Sequence, residues 1–117
     1  MNVHGKVWGK TSLLFSQNNV SIHRIEGIKG RYCSKHKHAH KYNVFFVEKG
    51  QIEVSVWKND YDLVDVTVLN EKESTVIAPG EFHQFKVLKD CVVLEIYYTS
   101  LCENDIIRES VGGIENA

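Results

Sequence analysis

The stretch "KHKHAHKYNVFFVEKG", residues 35 to 50, carries His36, His38 and His40 at alternate positions and then runs into an apolar, aromatic segment. Imidazole nitrogen is a borderline-soft donor that suits zinc, iron, nickel, copper or manganese. An extended segment sends residues i, i+2 and i+4 to one side. Two histidines at i and i+2 can therefore approach one ion, whereas a third on the same strand lies too far along to join them. One of the three is expected to stand aside, exposed at the rim of the site, touching a substrate, supporting a ligand, or reaching the metal as an additional donor. His40 is the candidate.

The remaining donor has to come from another element. In "APGEFHQFKV", His83 shares a face with Phe85 and Val87, opposite Phe82, Gln84 and Lys86. A histidine on the apolar face of a strand points inward, where it is either a satisfied core residue or a ligand. A second histidine-bearing segment in the same chain favours the ligand. Just upstream, Pro79 and Gly80 fit positions i+1 and i+2 of a type II turn, which sets the angle at which this strand enters. His4 and His23 belong to no such pattern and read as ordinary surface or core residues. Cys33 takes the parity opposite His36 and His38 if the strand reaches back to it, which disfavours a cysteine–histidine ligand pair.

The elements that must hold these side chains are strands, because the hydrophobic period is two almost everywhere. Ile52, Val54 and Val56 share one face of "QIEVSVW"; Val64, Val66 and Val68 alternate with Asp65 and Thr67; "CVVLEIYYTS" is long, β-branched and aromatic. The run "NVFFVE" lacks clean alternation, as in a strand covered on both faces. Turn signals fall at Gly50, around Asn59 and Asp60, at 70 to 74 and at 89 to 90. Short strands joined by polar turns predict an all-β, antiparallel sandwich or barrel. "VWGKTSLLF" reads as an edge strand or arm that invites dimerisation by pairing. Residues 103 to 110 have room for one or two helical turns, and the tail, 111 to 117, reads as frayed.

A chain of 117 residues fits one domain, 1–117, with the barrel spanning about 12–100. A 43% apolar content is enough for a real core, and a net charge of −1 with no basic stripe argues against nucleic acid. No apolar run approaches the roughly 20 residues of a membrane-spanning helix, and "MNVHGKVWGK" lacks the apolar stretch of a secretory signal. Three widely spaced cysteines, Cys33, Cys91 and Cys102, read as reduced thiols in a cytoplasmic protein.

The two histidine segments resemble the two-part signature of the cupin superfamily, and the resemblance covers nearly the whole chain. Its first motif is similar to G-x5-H-x-H-x4-E-x6-G, matched by Gly30, His36, His38 and Gly50, with Asn43 where the glutamate belongs. Its second resembles P-x-G-x2-H-x3-N, matched at Gly80 and His83, with Pro79 one position late and Val87 in place of the asparagine. The resemblance implies a jelly-roll barrel. Within the superfamily the chain looks most like the cupin domain of type II mannose-6-phosphate isomerases, through Trp8-Gly9, the run from Gly30 to His38, and "ENDIIR". Carried over, the metal positions are His36, His38, Asn43 and His83, and Arg108 matches an arginine near the end of that domain. The closing Y-G-R of those enzymes reads Val111, Gly112, Gly113 here.

Asn43 in place of a carboxylate makes the site one unit more positive and leaves three histidines with open positions, the mark of a catalytic metal site. Three functions follow as expectations. The first is an isomerase of phosphorylated or nucleotide-linked sugars that uses one divalent ion of zinc, iron, nickel or manganese. Lys41 and Arg108 would bind phosphate there, and Glu95 would move the proton if its strand turns that side inward. The second is a three-histidine iron dioxygenase, and the third is a non-catalytic module that binds a sugar or metabolite. A small-molecule substrate and a homodimer are expected. Because histidines must be neutral to ligate, metal affinity is expected to fall as pH drops through about 6.5.

Overall fold

A computed structural model of the chain describes residues 2–58 and 63–99, with Ser110, Gly112, Ile114 and Glu115 beyond them. Arg108, Cys102 and all but the last residue of the expected helical turn lie outside the described residues. Seven strands run in chain order: β1 (Asn2–Lys6), β2 (Gly9–Gln17), β3 (Val20–Gly27), β4 (Tyr42–Trp57), β5 (Val64–Leu69), β6 (Ser74–Ile77) and β7 (Phe82–Tyr98). All the pairings between them are antiparallel. No helix occurs among the described residues.

The two longest strands organise the rest. The second half of β7 pairs with β3 and with the first half of β4, whose other edge holds β6. The first half of β7 pairs with the second half of β4, which carries β5. The two halves thus belong to two layers, and side chains from both meet between them. Phe45 of one layer packs edge-on to Phe85 of the other, ring centres 5.7 Å apart, with Trp8 from the β1–β2 turn closing on Phe85 at 5.1 Å. Around them Ile25, Val47, Ile52, Val54, Val87 and Val93 are buried. Burial of this kind contributes about 1.5–3 kcal/mol per large apolar side chain before the entropy of ordering is subtracted.

Turns expected at Gly50 and at 89 to 90 are not turns. β4 and β7 run straight through, and their mutual register shifts at Val47–Ile52, opposite Lys89 and Val92. A bulge bends a paired strand without ending it. Gly50 supplies the φ of +83° that this bend needs, and any Cβ there would collide with the Asp90 carbonyl. The 70 to 74 turn is present, with Lys72 at positive φ and Glu73 Oε1 accepting from the Asn70 amide at 2.7 Å. Gly80, at φ +83°, occupies the turn expected at Pro79-Gly80, which the Glu81 amide closes onto the Ala78 carbonyl.

Candidate metal centre and its cavity

Residues 31 to 41 are not a regular strand, and this decides the geometry of the histidines. The segment is pinned to the first half of β7 by separate backbone bonds: Cys33 N to Phe85 O at 3.1 Å, His36 N to His83 O at 3.0 Å and His83 N to His36 O at 2.8 Å. Past His36 the chain leaves the sheet, and the Gly80 amide donates to the His38 carbonyl at 2.8 Å. His36 and His83 thus face each other as an isolated bridged pair, and His38 swings in from the irregular stretch. Their ring centres lie 4.5 Å (36–83), 5.2 Å (36–38) and 5.4 Å (38–83) apart. One ring nitrogen from each falls within 4.8 Å of the others, a spacing that a single metal ion could bridge.

The second nitrogens support the same reading. His83 Nδ1 donates to the Glu81 carbonyl at 3.0 Å and His36 Nδ1 to the Ser34 carbonyl at 2.8 Å, which turns the Nε2 lone pair of each ring outward from its anchor. The Nε2 atoms of His38 and His83 are buried with no protein partner. A buried polar atom without a partner costs about 1–3 kcal/mol, and two of them converging on one point is what a cation would resolve. The residues present fit a divalent metal ion.

Next to His36 opens a cavity of about 340 Å³. Trp8 and Phe85 form apolar wall, while Lys6, Thr11, His23, Glu95 and Tyr97 supply polar groups. Glu95 faces inward because β7 buries the parity of Cys91 and Val93, and in the sheet it sits between His23 of β3 and Phe45 of β4.

No protein-family model matches the chain. A mannose-1-phosphate guanylyltransferase of Sinorhizobium fredii is 28% identical over 105 residues, covering 86% of this chain and 19% of that enzyme, so the chain spans about a fifth of that relative. Among solved structures, KdgF from Halomonas sp. superposes with a TM-score of 0.72 at 13% identity, covering 86% of this chain and 90% of that one. The cupin domain of Schizosaccharomyces pombe Cnp3 gives 0.70 at 19% identity, covering 86% and 69%. The fold is that of a cupin.

The expected site residues take different places in this fold. His36, His38 and His83 come together. Asn43 is fully buried on the same inner face, paired across the sheet with Ile77 and Tyr97, and both its amide atoms lack partners. His40 sits exposed at a bend and outside the cluster. Lys41 is not part of that cavity's lining; its ammonium lies 3.9 Å from the centre of the Tyr97 ring, a cation–π contact.

Two readings of single residues change. Cys33 is buried and lines the cavity together with His36, because the irregular backbone between them breaks the alternation that would have separated them. Burial pushes its thiol up to about 11. His23, which belongs to no motif, also lines the cavity, with its ring 5.6 Å from that of Tyr97. Only the pairing of β3 with β7 places it there, so no spacing in the sequence marks it.

The electrostatics follow from burial. Desolvation, then the charge of Lys41 and the neighbouring His36 and His83, brings His38 down to about 4. Desolvation also lowers His83 and His23. All three are therefore held neutral, the state in which imidazole ligates or accepts a proton. Burial raises the Glu95 carboxyl, opposed by Tyr97 and Asn43 beside it; Asn43 does this without reaching full hydrogen-bond geometry. Tyr97 is pushed up by burial and by Glu95.

Proposed function

We propose that this cupin is a metal-dependent isomerase of a sugar carrying a phosphate or nucleotide group. The observation that carries the reading is the cavity itself, where a cluster of imidazoles, two of them with orphaned Nε2 atoms, adjoins a half-buried carboxyl, Glu95. His36, His38 and His83 would hold a divalent ion, with Asn43 beside them, and the ion when bound supplies Lewis acidity toward a substrate oxygen.

The chain's own residues supply the remainder. Glu95 takes a proton from the carbon next to the substrate carbonyl and returns it to the carbonyl carbon, so that no oxidant or reductant is consumed. Burial raises its pKa, which makes the carboxylate a stronger base and better able to hold the proton between the two halves of that exchange. His23, held neutral, accepts and returns the hydroxyl proton. Trp8 and Phe85 present an apolar wall to the sugar ring and keep water from the reacting carbons. Lys6 on the cavity wall and Lys41 beside Tyr97 bind the anionic group, and the sequence offers Arg108 as a further phosphate partner. The guanylyltransferase relative, named for a sugar phosphate, is consistent with this class of substrate.

The test is incubation of the metal-loaded protein with mannose 6-phosphate and related aldose phosphates, followed by NMR. A ketose product that depends on both metal and Glu95 is expected; no conversion with any divalent metal refutes the proposal. A second reading, a three-histidine iron dioxygenase, is favoured by one observation: the cluster contains no carboxylate among the described residues. Oxygen consumption by the iron(II)-loaded protein separates the two.

A further inference from the structure

The free edge of β5 carries little of the protection that edge strands usually have. Among the described residues β5 pairs only with β4 and ends the strand order on that side. Its register with β4 puts Leu69, Thr67 and Asp65 on the inner face, level with Ile52, Val54 and Val56. Val64, Val66 and Val68 consequently face outward and are 40%, 56% and 43% exposed. Edge strands are ordinarily blunted by charged side chains, above all lysine, by proline, a bulge, inward-pointing charges or a very short length. β5 has six regularly paired residues, "VDVTVL", with Asp65 as its one charge, no lysine or proline and no irregularity in its register. Of the other free edges among the described residues, β1 is shorter and carries His4, Gly5 and Lys6, and β6 has only four residues.

The geometry points to a second copy of this chain as the partner, pairing β5 with β5 antiparallel about a two-fold axis at Val66. The argument is one of self-complementarity. With the axis at Val66, Val64 lies opposite Val68 of the partner, Asp65 opposite Thr67, and Leu63, 67% exposed, opposite Leu69. Every apolar residue meets an apolar one, and the one carboxylate meets a hydroxyl. Moving the axis to Asp65 sets two aspartates directly against each other, which is destabilising. Moving it to Thr67 sets Asp65 against Leu69 and Val64 against Asn70. Only the Val66 register satisfies the whole strand. The pairing joins the β7–β4–β5 layers of two protomers into one continuous sheet, and the rows of outward valines run into Trp57 and Phe82, which share their face.

The register makes a distance prediction. Directly opposed Cα atoms in antiparallel strands lie about 4.5–5.5 Å apart, inside the range a disulfide spans. With Cys102 replaced by Ser, Val66→Cys is expected to oxidise to a covalent dimer. Thr67→Cys, whose opposite number is Asp65, is expected not to, and an equimolar mixture of Thr67→Cys and Asp65→Cys is expected to cross-link. By light scattering after gel filtration the unmodified chain is expected to be a dimer, and Val66→Lys to raise its dissociation constant at least about tenfold. Circular dichroism and retained metal binding establish that this variant is folded. A monomeric unmodified chain, a dimer that Val66→Lys leaves intact, dissociation by Val3→Lys on β1 instead, or equal cross-linking at 66 and 67 would each overturn the inference.

Discussion

Replacing His83 by alanine probes the site and the fold at once. The ring is 1% exposed and packs against His36, His38 and, with ring centres 6.4 Å apart, Phe45. Truncating a large buried side chain costs about 2–5 kcal/mol through lost contacts and the cavity left behind. Here the loss is offset in part, because the variant no longer buries an unpartnered Nε2, worth about 1–3 kcal/mol. The metal-free fold should therefore weaken by only about 1–2 kcal/mol, and the backbone pair between residues 36 and 83 survives, since it needs no side chain. Metal binding should suffer far more. Losing an outer partner of a ligand already costs about 10–100-fold in affinity, so losing a ligand should cost at least about 100-fold. At a metal concentration of about 1,000 times the original Kd, binding stabilises the fold by about 4.1 kcal/mol, and after a 100-fold loss by about 1.4 kcal/mol. For a chain of this size that difference lowers the zinc-induced rise in Tm by on the order of 10 °C. Thermal unfolding of both proteins with zinc and with EDTA reads it directly. An unchanged zinc-induced shift in the alanine variant refutes the assignment of His83 as a ligand.

Other outcomes follow from the same geometry. Glu95→Gln keeps size and neutral hydrogen bonding, so metal affinity should hold while sugar-phosphate isomerisation falls about 10²–10⁴-fold; equal rates remove Glu95 from the chemistry. With His38 at about 4 and His83 also lowered, zinc binding should persist well below pH 6.5, lower than the unperturbed histidine value implies, and fade toward pH 4. Over that window His38 and His83 bind more protons in the unfolded chain than in the metal-free fold, an effect that the raised Glu95 opposes in part, so the apo-protein should lose stability as pH falls from about 6.5 toward 4. Urea midpoints at several pH values check the sign. Gly50→Ala must strain a φ of +83° and meet the Asp90 carbonyl, so it should destabilise by at least about 2 kcal/mol in chemical denaturation.

Much of this protein was legible in local pattern. Alternation in "QIEVSVW" and "FHQFKV" reports which side chains face the core, because side-chain direction in a strand depends only on parity. Hence His83, Phe85 and Val87 are on the inner face as their spacing predicts. The turn signals were less reliable. Gly50 and the Lys89–Asp90 pair carry the composition of turns, yet both lie within bent, continuous strands. Composition records that a chain must deviate there, and only the partner strand determines whether the deviation is a reversal or a bulge.

The sequence by itself determined the strand class, the inward parity of His83 and the chemical type of the metal donors, since residue identity and period two are local properties. Tertiary structure alone decided that His36 and His38 reach His83 from an irregular segment rather than from a strand. It also turned Glu95 inward, brought His23 and Cys33 to the cavity and left three valines on an open edge. Each of those depends on which strand pairs with which, and in what register, and long-range pairing leaves no periodic trace in the chain.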